Sequence, residues 1–184
     1  MNWKLLSSEY ISRHKYFTAR RDRCEMFNGQ IVDPYFVVEL PPSVCALAIT
    51  EDNQAVMVKQ YRHPIEKTIL ELPGGFIDEG EDPAKAIARE LMEETGYAFS
   101  SFVYLGKVSA NPGVLNGYTH LFLARGGKKV STQHLDANEE IEIIVMPLEK
   151  VKELLHKNEI VQALHTCCLF YAFRELGTPE QESL

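Results

Sequence analysis

Residues 75–96 read GFIDEGEDPAKAIARELMEETG, and the interpretation of the whole chain depends on this stretch. Its second half, residues 83–95, is predicted to be a helix. Asp82 is a good N-cap, Pro83 suits the first helical position, and Gly96 is typical of the position just after a helix. Successive residues of a helix turn by 100°, so three acids share one face. These acids are Glu90, Glu93 and Glu94.

The acidic face has two explanations. One is a solvated helix surface, on which Arg89 and Glu93 would pair for ~0.3–0.5 kcal/mol. However, Glu90 and Glu94 are like charges one turn apart, and acids near a helix C-terminus oppose the helix dipole. The other explanation is a site for Mg²⁺ or Mn²⁺, which prefer carboxylate oxygens. Periodicity alone leaves the two explanations evenly balanced.

The same periodicity predicts which side of the helix packs on a sheet. An apolar group lies about 110° from the acids. Its members are Ala84, Ile87, Ala88 and Leu91. Ala86 falls on the acidic face, where its small side chain is expected to leave room above the carboxylates.

The spacing within residues 75–97 resembles the signature of the Nudix hydrolase family. Gly75 is followed after five residues by Glu81 and after seven more by Arg89-Glu90-Leu91, and the pattern closes with Glu93-Glu94 and Gly96-Tyr97. Tyr97 departs from the family, which usually has an aliphatic residue there. This departure concerns packing and leaves the acidic residues unaffected.

The resemblance implies the Nudix fold, a mixed β-sheet sandwiched between α-helices. It also implies hydrolysis of a nucleoside diphosphate linked to another moiety. By the same resemblance Arg89 orients the carboxylates, Glu81 supports the site, and Glu93 belongs to the catalytic group. The predicted metal-binding set is Glu90, Glu93, Glu94, Gly74 and Glu81.

Segments flanking this signature resemble the ADP-ribose pyrophosphatase and nucleoside diphosphate sugar hydrolase branch. KQYR precedes it, LELPGG runs into it, and Pro112 lies 16 residues after Gly96 (112 − 96). Arg62 is predicted to bind a phosphate group of the substrate through its planar guanidinium. Glu71 is predicted to contact the base or the ribose of the substrate. Alternatively, Arg62 is a surface residue that pairs with Glu71, and Pro112 only initiates a turn.

The N-terminal residues are predicted to form short strands. Asn28-Gly29 is expected to make a hairpin turn in which both residues have positive φ, and Pro41-Pro42 marks a boundary. The predicted domains are residues 1–42 and 43–184. By the resemblance, the first segment forms a small sheet that completes the partner's substrate pocket, so we expect a homodimer with an exchanged N-terminal segment. Arg21 and Arg23 are its predicted substrate contacts, with ordinary exposed charges as the alternative.

Related enzymes often take a catalytic glutamate from the loop before the last strand. The family often has an acid where this chain has Ala137. The candidates for the general base are therefore Glu139 and Glu140, and Asp136 is a less favoured candidate. If Ile141 faces the core, strand alternation turns Glu140 the other way, and Glu140 is slightly preferred. A solvated acidic loop is the alternative.

The remaining pattern predicts an α+β sandwich in which strands alternate irregularly with a few helices. Residues 126–140 read as a polar loop. Leu148, Val151, Leu154 and Leu155 form one apolar helical stripe near the end of the chain, and Ala163, Leu164, Cys167, Phe170 and Tyr171 form another, with Gly177 beyond the stop.

The composition of the chain argues against several classes of protein. The chain has 184 residues and a net charge of −7, so it lacks the basic footprint of a nucleic-acid-binding protein. No signal sequence or membrane-spanning segment is recognised. The four cysteines form no C-x-x-C pair and are expected to be buried free thiols. A reducing cytoplasm is therefore the expected compartment.

Three functions are compatible with these features. The first is metal-dependent hydrolysis of ADP-ribose or a nucleotide-hexose to a nucleoside monophosphate and a sugar phosphate. The second is a non-catalytic sensor of ADP-ribose-like ligands, which usually lacks some of the signature carboxylates. The third is a Nudix pyrophosphatase for another nucleotide, such as a dinucleoside polyphosphate or a nucleoside triphosphate.

Overall fold

The computed structural model describes residues 1–14 and 17–177, which divide into two compact units. The first unit comprises Met1–Pro42 and Ser109–Tyr118, and the second comprises Ser43–Val108 and the chain from Thr119 onward. Residues 178–184 of the predicted second domain lie outside the described residues. Within those described, no helix is long and apolar enough to cross a membrane.

Residues 109–118 fall within the second predicted domain, whereas in the structure they lie in the first unit. The reason is local hydrogen bonding. Val38 N donates to the Val114 carbonyl at 2.8 Å, and Leu40 N donates to Asn116 Oδ1 at 3.1 Å.

The first unit contains a three-stranded antiparallel sheet in the order β1-β2-β3. Its strands are β1 (Lys4–Ser12), β2 (Thr18–Glu25) and β3 (Ile31–Glu39). The predicted hairpin turn is present, but only Gly29 has a positive φ, of 83°. Gly29 N donates to the Met26 carbonyl, and Asn28 Oδ1 accepts from Gln30 N. The turn is therefore a three-residue loop, and the expectation of two positive φ angles is wrong.

The second unit is built on a mixed seven-stranded sheet. Its strands are β4 (Ser43–Thr50), β5 (Gln54–Arg62), β6 (Lys67–Glu71), β7 (Tyr97–Ala98), β8 (Ser101–Val108), β9 (Thr119–Lys129) and β10 (Ile141–Pro147). The path runs β10-β5-β4-β9-β7, with β6 paired to β5 and β8 paired to β9. Only β4 and β9 pair in parallel among these strands.

Helices cover both faces of this sheet: α1 (Pro83–Thr95), α2 (Leu148–His156) and α3 (Ala163–Gly177). Alternate residues of β4 point to opposite faces. Ala46 packs in a core cluster with Ile87 and Leu91 of α1, and Leu47 packs in a second cluster with Leu169 of α3. The prediction of a mixed sheet between helices is confirmed, and so is its fold class.

Several local expectations were wrong. Ala86 is fully buried in the cluster under α1, and Ala84 is exposed, so the acids turn further toward the protein than expected. The predicted loop from residue 126 starts later, because β9 continues to Lys129 and pairs there with Tyr97.

The predicted stripe on α3 was also wrong. The residues that α3 buries are His165, Cys168, Leu169 and Ala172, whereas Cys167 and Phe170 are exposed, and Gly177 lies in the helix rather than beyond it. Its sequence is apolar almost all the way round, so periodicity could not select the buried face. Of the four cysteines, all free, only Cys45 and Cys168 are buried.

His165 provides a buried acceptor in this core. Its Nδ1 accepts the Leu72 N–H at 3.2 Å. Burial, assisted by the charge of Arg62, lowers the pKa of His165 from 6.5 to about 3. The folded protein therefore keeps His165 neutral at pH values where the unfolded chain takes up a proton. Its contribution to stability is complete above about pH 6.5 and is lost as the pH falls toward about 3.

His165→Gln keeps an acceptor for Leu72 and removes the titrating group. Between about pH 6 and pH 4, we expect the free energy of unfolding of the wild type to fall more steeply than that of the variant, by up to about 1.4 kcal/mol per pH unit. Urea unfolding across this range measures the difference. The exposed His134→Gln is the matched control and should keep the wild-type slope. Equal slopes for the wild type and His165→Gln would contradict the assignment.

Candidate active site

The backbone of Leu72–Gly75 runs beside β4 and meets α1. Ala46 N donates to the Pro73 carbonyl at 3.2 Å, and Val44 N donates to the Gly75 carbonyl at 2.9 Å. These bonds fix the segment against the centre of the sheet, so its amide and carbonyl groups have defined positions.

Two glycines allow the close approach of this segment. Gly74 has φ of 150°, and a Cβ there would overlap the Val44 carbonyl of β4. A Cβ on Gly75 would lie 2.6 Å from the carboxyl atoms of Glu90. The Glu90 carboxylate therefore occupies the space that a side chain at position 75 would need.

The three signature acids differ in their exposure. Gly74 N donates to Glu94 Oε2 at 2.8 Å, and Glu94 is only 6% exposed. The Glu90 side chain is 12% exposed, whereas that of Glu93 is 44% exposed. Two of the acids therefore point into the protein, which a solvated helix face does not explain.

Burial changes the acidity of these groups. Burial raises the pKa of the Glu94 carboxyl to about 8, and the charges of Glu90 and Glu139 add to it, while the Gly74 hydrogen bond and the charge of Arg62 oppose it. Burial also raises the pKa of Glu90, against the effect of its hydrogen bond from Arg89. A cation placed between these oxygens would remove the cost of their burial.

Arg89 lies at the centre of the acidic face. Its Nη1 donates to Glu90 Oε1 at 2.8 Å and to Glu93 Oε2 at 3.0 Å, and its Nη2 donates to the Phe76 carbonyl at 3.1 Å. It also donates to both carboxylate oxygens of Glu81, at 3.0 and 2.9 Å. One guanidinium therefore joins the loop before α1 to two acids of the helix.

Glu81 is held as the counterion of Arg89. Besides the two bonds from Arg89, its Oε2 accepts the Asp78 N–H at 3.1 Å. The hydrogen bonds from Arg89, followed by that from Asp78, lower the pKa of Glu81 to about 2. This geometry agrees with a supporting role for Glu81 better than with direct metal binding.

The chemistry of the signature acids suits a divalent cation, although their side chains do not form a preformed coordination site. Within residues 1–14 and 17–177, no three His, Cys, Asp or Glu side chains are grouped so that they could hold a metal ion. Arg89 engages Glu90 and Glu93 at once. The donors are nevertheless hard carboxylate oxygens, which Mg²⁺ and Mn²⁺ prefer, and those of Glu90 and Glu94 are largely shielded from solvent.

The loop between β9 and β10 is tied to the end of α1 through main-chain bonds. Val130 N and Ser131 N donate to the Gly96 carbonyl at 2.9 and 3.1 Å, and His134 N donates to the Glu93 carbonyl at 2.8 Å. The loop therefore follows the last turn of the helix that carries the acids.

Glu139 differs from the other candidate bases in its surroundings. Burial is the largest cause of the raised pKa values of Glu90 and Glu94, and the charge of Glu139 adds to both. Glu139 is partly buried and its Oε2 accepts from Asp136 N at 3.1 Å, whereas Glu140 is exposed. The partial burial supports Glu139 as a candidate, and the slight preference for Glu140 from strand alternation stays a prediction.

Arg62 and Glu71 form an ion pair at the adjoining strands β5 and β6. Arg62 donates through Nε and Nη2 to Glu71 Oε2, at 3.0 and 2.7 Å, and Glu71 is 1% exposed. A guanidinium has five N–H donors, so this pair orients Arg62 and leaves donors for a ligand. Among the two predicted roles of Glu71, the structure shows the pairing with Arg62.

The other predicted substrate contacts lie in the first unit. Arg21 is exposed and donates to Glu9 at 2.6 and 2.9 Å, and Arg23 pairs with Asp33 at 3.4 Å. Pro112 is exposed in a turn closed by bonds from Val114 N and Leu115 N to the Asn111 carbonyl. The local geometry of Pro112 agrees with the interpretation as a turn former.

Comparison with known families agrees with this geometry. The family described as NUDIX domain matches residues 39–167. The chain belongs to the Nudix hydrolase family. Members of this family generally use a divalent metal ion. A second family, the nucleoside diphosphate sugar hydrolase N-terminal domain, matches residues 3–38 of this Nudix chain.

Two relatives and one solved structure illustrate the relationship. The Nudix chain is 35% identical to the methanol dehydrogenase activator of Bacillus methanolicus over 158 residues, 85% of each chain. It is 31% identical to the ADP-ribose pyrophosphatase of Bacillus subtilis (strain 168), over 76% of this chain and 83% of that one. A crystal structure of an ADP compounds hydrolase superposes with a TM-score of 0.82 at 24% identity, covering 96% of this chain and 95% of that one, and so confirms the fold.

Proposed function

We propose that this chain is a Mg²⁺-dependent pyrophosphatase of nucleoside diphosphate sugars, with ADP-ribose or a nucleotide-hexose as its substrate. The observation that carries the proposal is the inward-facing pair Glu90 and Glu94, held against Gly74 and Gly75 with the charge of Arg62 nearby. The resemblance to an ADP-ribose pyrophosphatase and the match to the N-terminal domain family support this substrate class.

In this proposal the metal ligands are Glu90, Glu93 and Glu94, with Gly74 beside them. A divalent cation held there supplies charge neutralisation at the phosphoryl oxygens and lowers the pKa of a bound water. Arg89, fixed by Glu81, sets the directions of the Glu90 and Glu93 carboxylates.

Arg62 and Glu139 complete the chemistry of the second unit. Arg62, oriented by the buried Glu71, donates to a phosphate oxygen of the substrate, since a guanidinium matches the geometry of phosphate. Glu139 takes a proton from the attacking water; its partial burial, in a loop bonded to the end of α1, supports this role. The products are a nucleoside monophosphate and a sugar phosphate.

A panel of nucleotides tests the substrate class. With Mg²⁺ present, we expect kcat/KM for ADP-ribose or a GDP- or UDP-hexose to exceed that for nucleoside triphosphates by roughly 10²-fold or more, because a site built around the sugar loses contacts with a triphosphate. Mass spectrometry of the products identifies the bond that is cleaved. A preference for triphosphates or dinucleoside polyphosphates would contradict the proposed class, and binding without turnover would indicate a sensor.

We further propose that residues 1–42 exchange between two copies of the chain and complete the partner's substrate pocket with Arg21 and Arg23. Exposed apolar side chains of the first unit support the proposal that a second copy of the chain packs against this unit. They include Trp3, Leu5, Tyr10, Ile11 and Phe36. A cytoplasmic location agrees with the free thiols of the four cysteines.

Mixing two inactive variants tests the exchange. A Glu94→Gln chain lacks a working metal site, and an Arg21→Ala chain lacks the donated substrate contact. If the segment is exchanged, refolding an equimolar mixture should restore about a quarter of wild-type activity, since half of the dimers then contain one intact site in two. Light scattering should show a dimer. The proposal would be contradicted if the mixture were no more active than the average of the two separate variants, or if the protein were a monomer in solution.

A further inference from the structure

The side chain of Gln133 bridges two elements that main-chain bonds leave separate. Its Nε2 donates to the Glu94 carbonyl at 2.7 Å and to the Ile141 carbonyl at 3.1 Å. Both hydrogens of one amide nitrogen are therefore used. Glu94 lies in the last turn of α1, where carbonyls have no partner within the helix, and Ile141 begins β10.

This bridge closes the segment that contains Glu139. Residues 134–140 lie between Gln133 and Ile141, so this amide links the two ends of the segment. Inside the segment, Glu139 N donates to the Asp136 carbonyl at 3.0 Å, and Asp136 N donates to Glu139 Oε2 at 3.1 Å. The turn that holds Glu139 is thus compact in itself, and its place beside α1 depends on what fixes its ends.

Main-chain bonds hold the two ends of the segment to two different elements. The bonds from Val130, Ser131 and His134 all lead from the start of the loop to the end of α1. At the far end, two residues after Glu139, Ile141 pairs with Gln60 of β5. The Gln133 side chain joins this end to α1. Loss of the amide would leave the start of the loop on α1 and Ile141 on β5, and would remove the side-chain link between these two attachments, so that residues 134–140 are held less closely to the end of α1.

We propose that Gln133 is a positioning residue of the hydrolysis reaction. By joining the end of α1 to the start of β10, it keeps Glu139 in place relative to Glu90, Glu93 and Glu94. This inference rests on the proposed function, in which Glu139 is the base. Glutamine suits the role because its amide reaches both carbonyls and carries no charge. A leucine, methionine or glutamate at this position would have no N–H to donate.

Two variants and a control test the proposal. Gln133→Met keeps the length without donors, and Gln133→Glu keeps the shape without donors. We expect either change to lower kcat by about 10–100-fold through misplacement of the base, with KM and the apparent affinity for Mg²⁺ within about twofold of wild type. His134→Gln is the control, because the His134 side chain is exposed and its bond to Glu93 uses the backbone N–H.

A double-mutant cycle shows whether Gln133 acts through Glu139. Adding Gln133→Met to Glu139→Gln should lower kcat no further, because the base is already lost. Hydrogen exchange should be faster in residues 134–140 of Gln133→Met and unchanged in α3. A kcat at the wild-type level in both Gln133 variants, multiplicative effects in the cycle, or unchanged exchange would overturn the proposal. If the wild type itself hydrolyses no nucleoside diphosphate sugar, the proposed function fails, and that result is distinct from any behaviour of the variants.

Discussion

Replacing Glu94 by glutamine is expected to lower kcat for nucleoside diphosphate sugar hydrolysis by about 10³-fold or more, because it removes an anionic ligand from the metal site. The glutamine Oε1 can still accept the Gly74 N–H, so the fold and the position of residues 72–75 should be kept. Steady-state kinetics with Mg²⁺ in excess measures the loss. A variant with wild-type kcat would show that Glu94 holds no metal.

The same substitution should raise stability in the absence of metal, which separates a functional loss from misfolding. The pKa of Glu94 is raised from 4.5 to about 8 in the folded protein. The wild type therefore loses stability as the pH rises through this range, since ionisation is easier in the unfolded chain. At about pH 8 without metal, we expect Glu94→Gln to be more stable by up to about 4 kcal/mol. Excess Mg²⁺ should stabilise the wild type and leave the variant unaffected.

Adjacent glycines should respond differently to alanine. At Gly75, a Cβ would meet the Glu90 carboxyl group, which is the mobile end of a side chain. Gly75→Ala should therefore fold, displace Glu90 and lower kcat/KM by about 10²-fold or more. At Gly74 the Cβ would meet the Val44 carbonyl of a central strand, and φ is positive, so Gly74→Ala should lower the free energy of unfolding by roughly 2–4 kcal/mol.

Gly80→Ala is the control for this pair. Gly80 has φ of 78°, and a Cβ added there would have no atom within 4 Å. The substitution should cost only ~1–2 kcal/mol of stability and leave kcat/KM unchanged. Urea unfolding, kinetics and Mn²⁺ titration of the three variants give the comparison. Equal loss of metal affinity in Gly75→Ala and Gly80→Ala would refute the close packing of Glu90 on Gly75.

The helix that carries the acids was predictable because its signals are local. Asp82 accepts from Ala84 N and Lys85 N, and Gly96 ends the helix with φ of 70°, so the predicted and observed bounds agree. Periodicity also placed the acids relative to one another. It could not fix which part of the helix surface meets the sheet, and for that reason Ala86 was expected above the acids and is found in the core.

Other parts of the site depend on contacts between distant segments. Nothing in the spacing of residues 75–97 shows that Glu90 packs on Gly75, or that Glu94 accepts from Gly74. Gln133 binds two main-chain carbonyls, and any residue type offers a carbonyl, so its partners leave no trace in the sequence. The choice between Glu139 and Glu140 stays a prediction, because it depends on the conformation of a loop as well as on strand alternation.

The rate of ADP-ribose or nucleotide-hexose hydrolysis as a function of Mg²⁺ concentration, with products identified by mass, tests the central claim most directly. The proposed site predicts no product in the presence of a chelator, and saturable formation of a nucleoside monophosphate and a sugar phosphate as Mg²⁺ is restored. Product formation that is unaffected by the chelator, or the absence of cleavage of every nucleoside diphosphate sugar at saturating Mg²⁺, would contradict it.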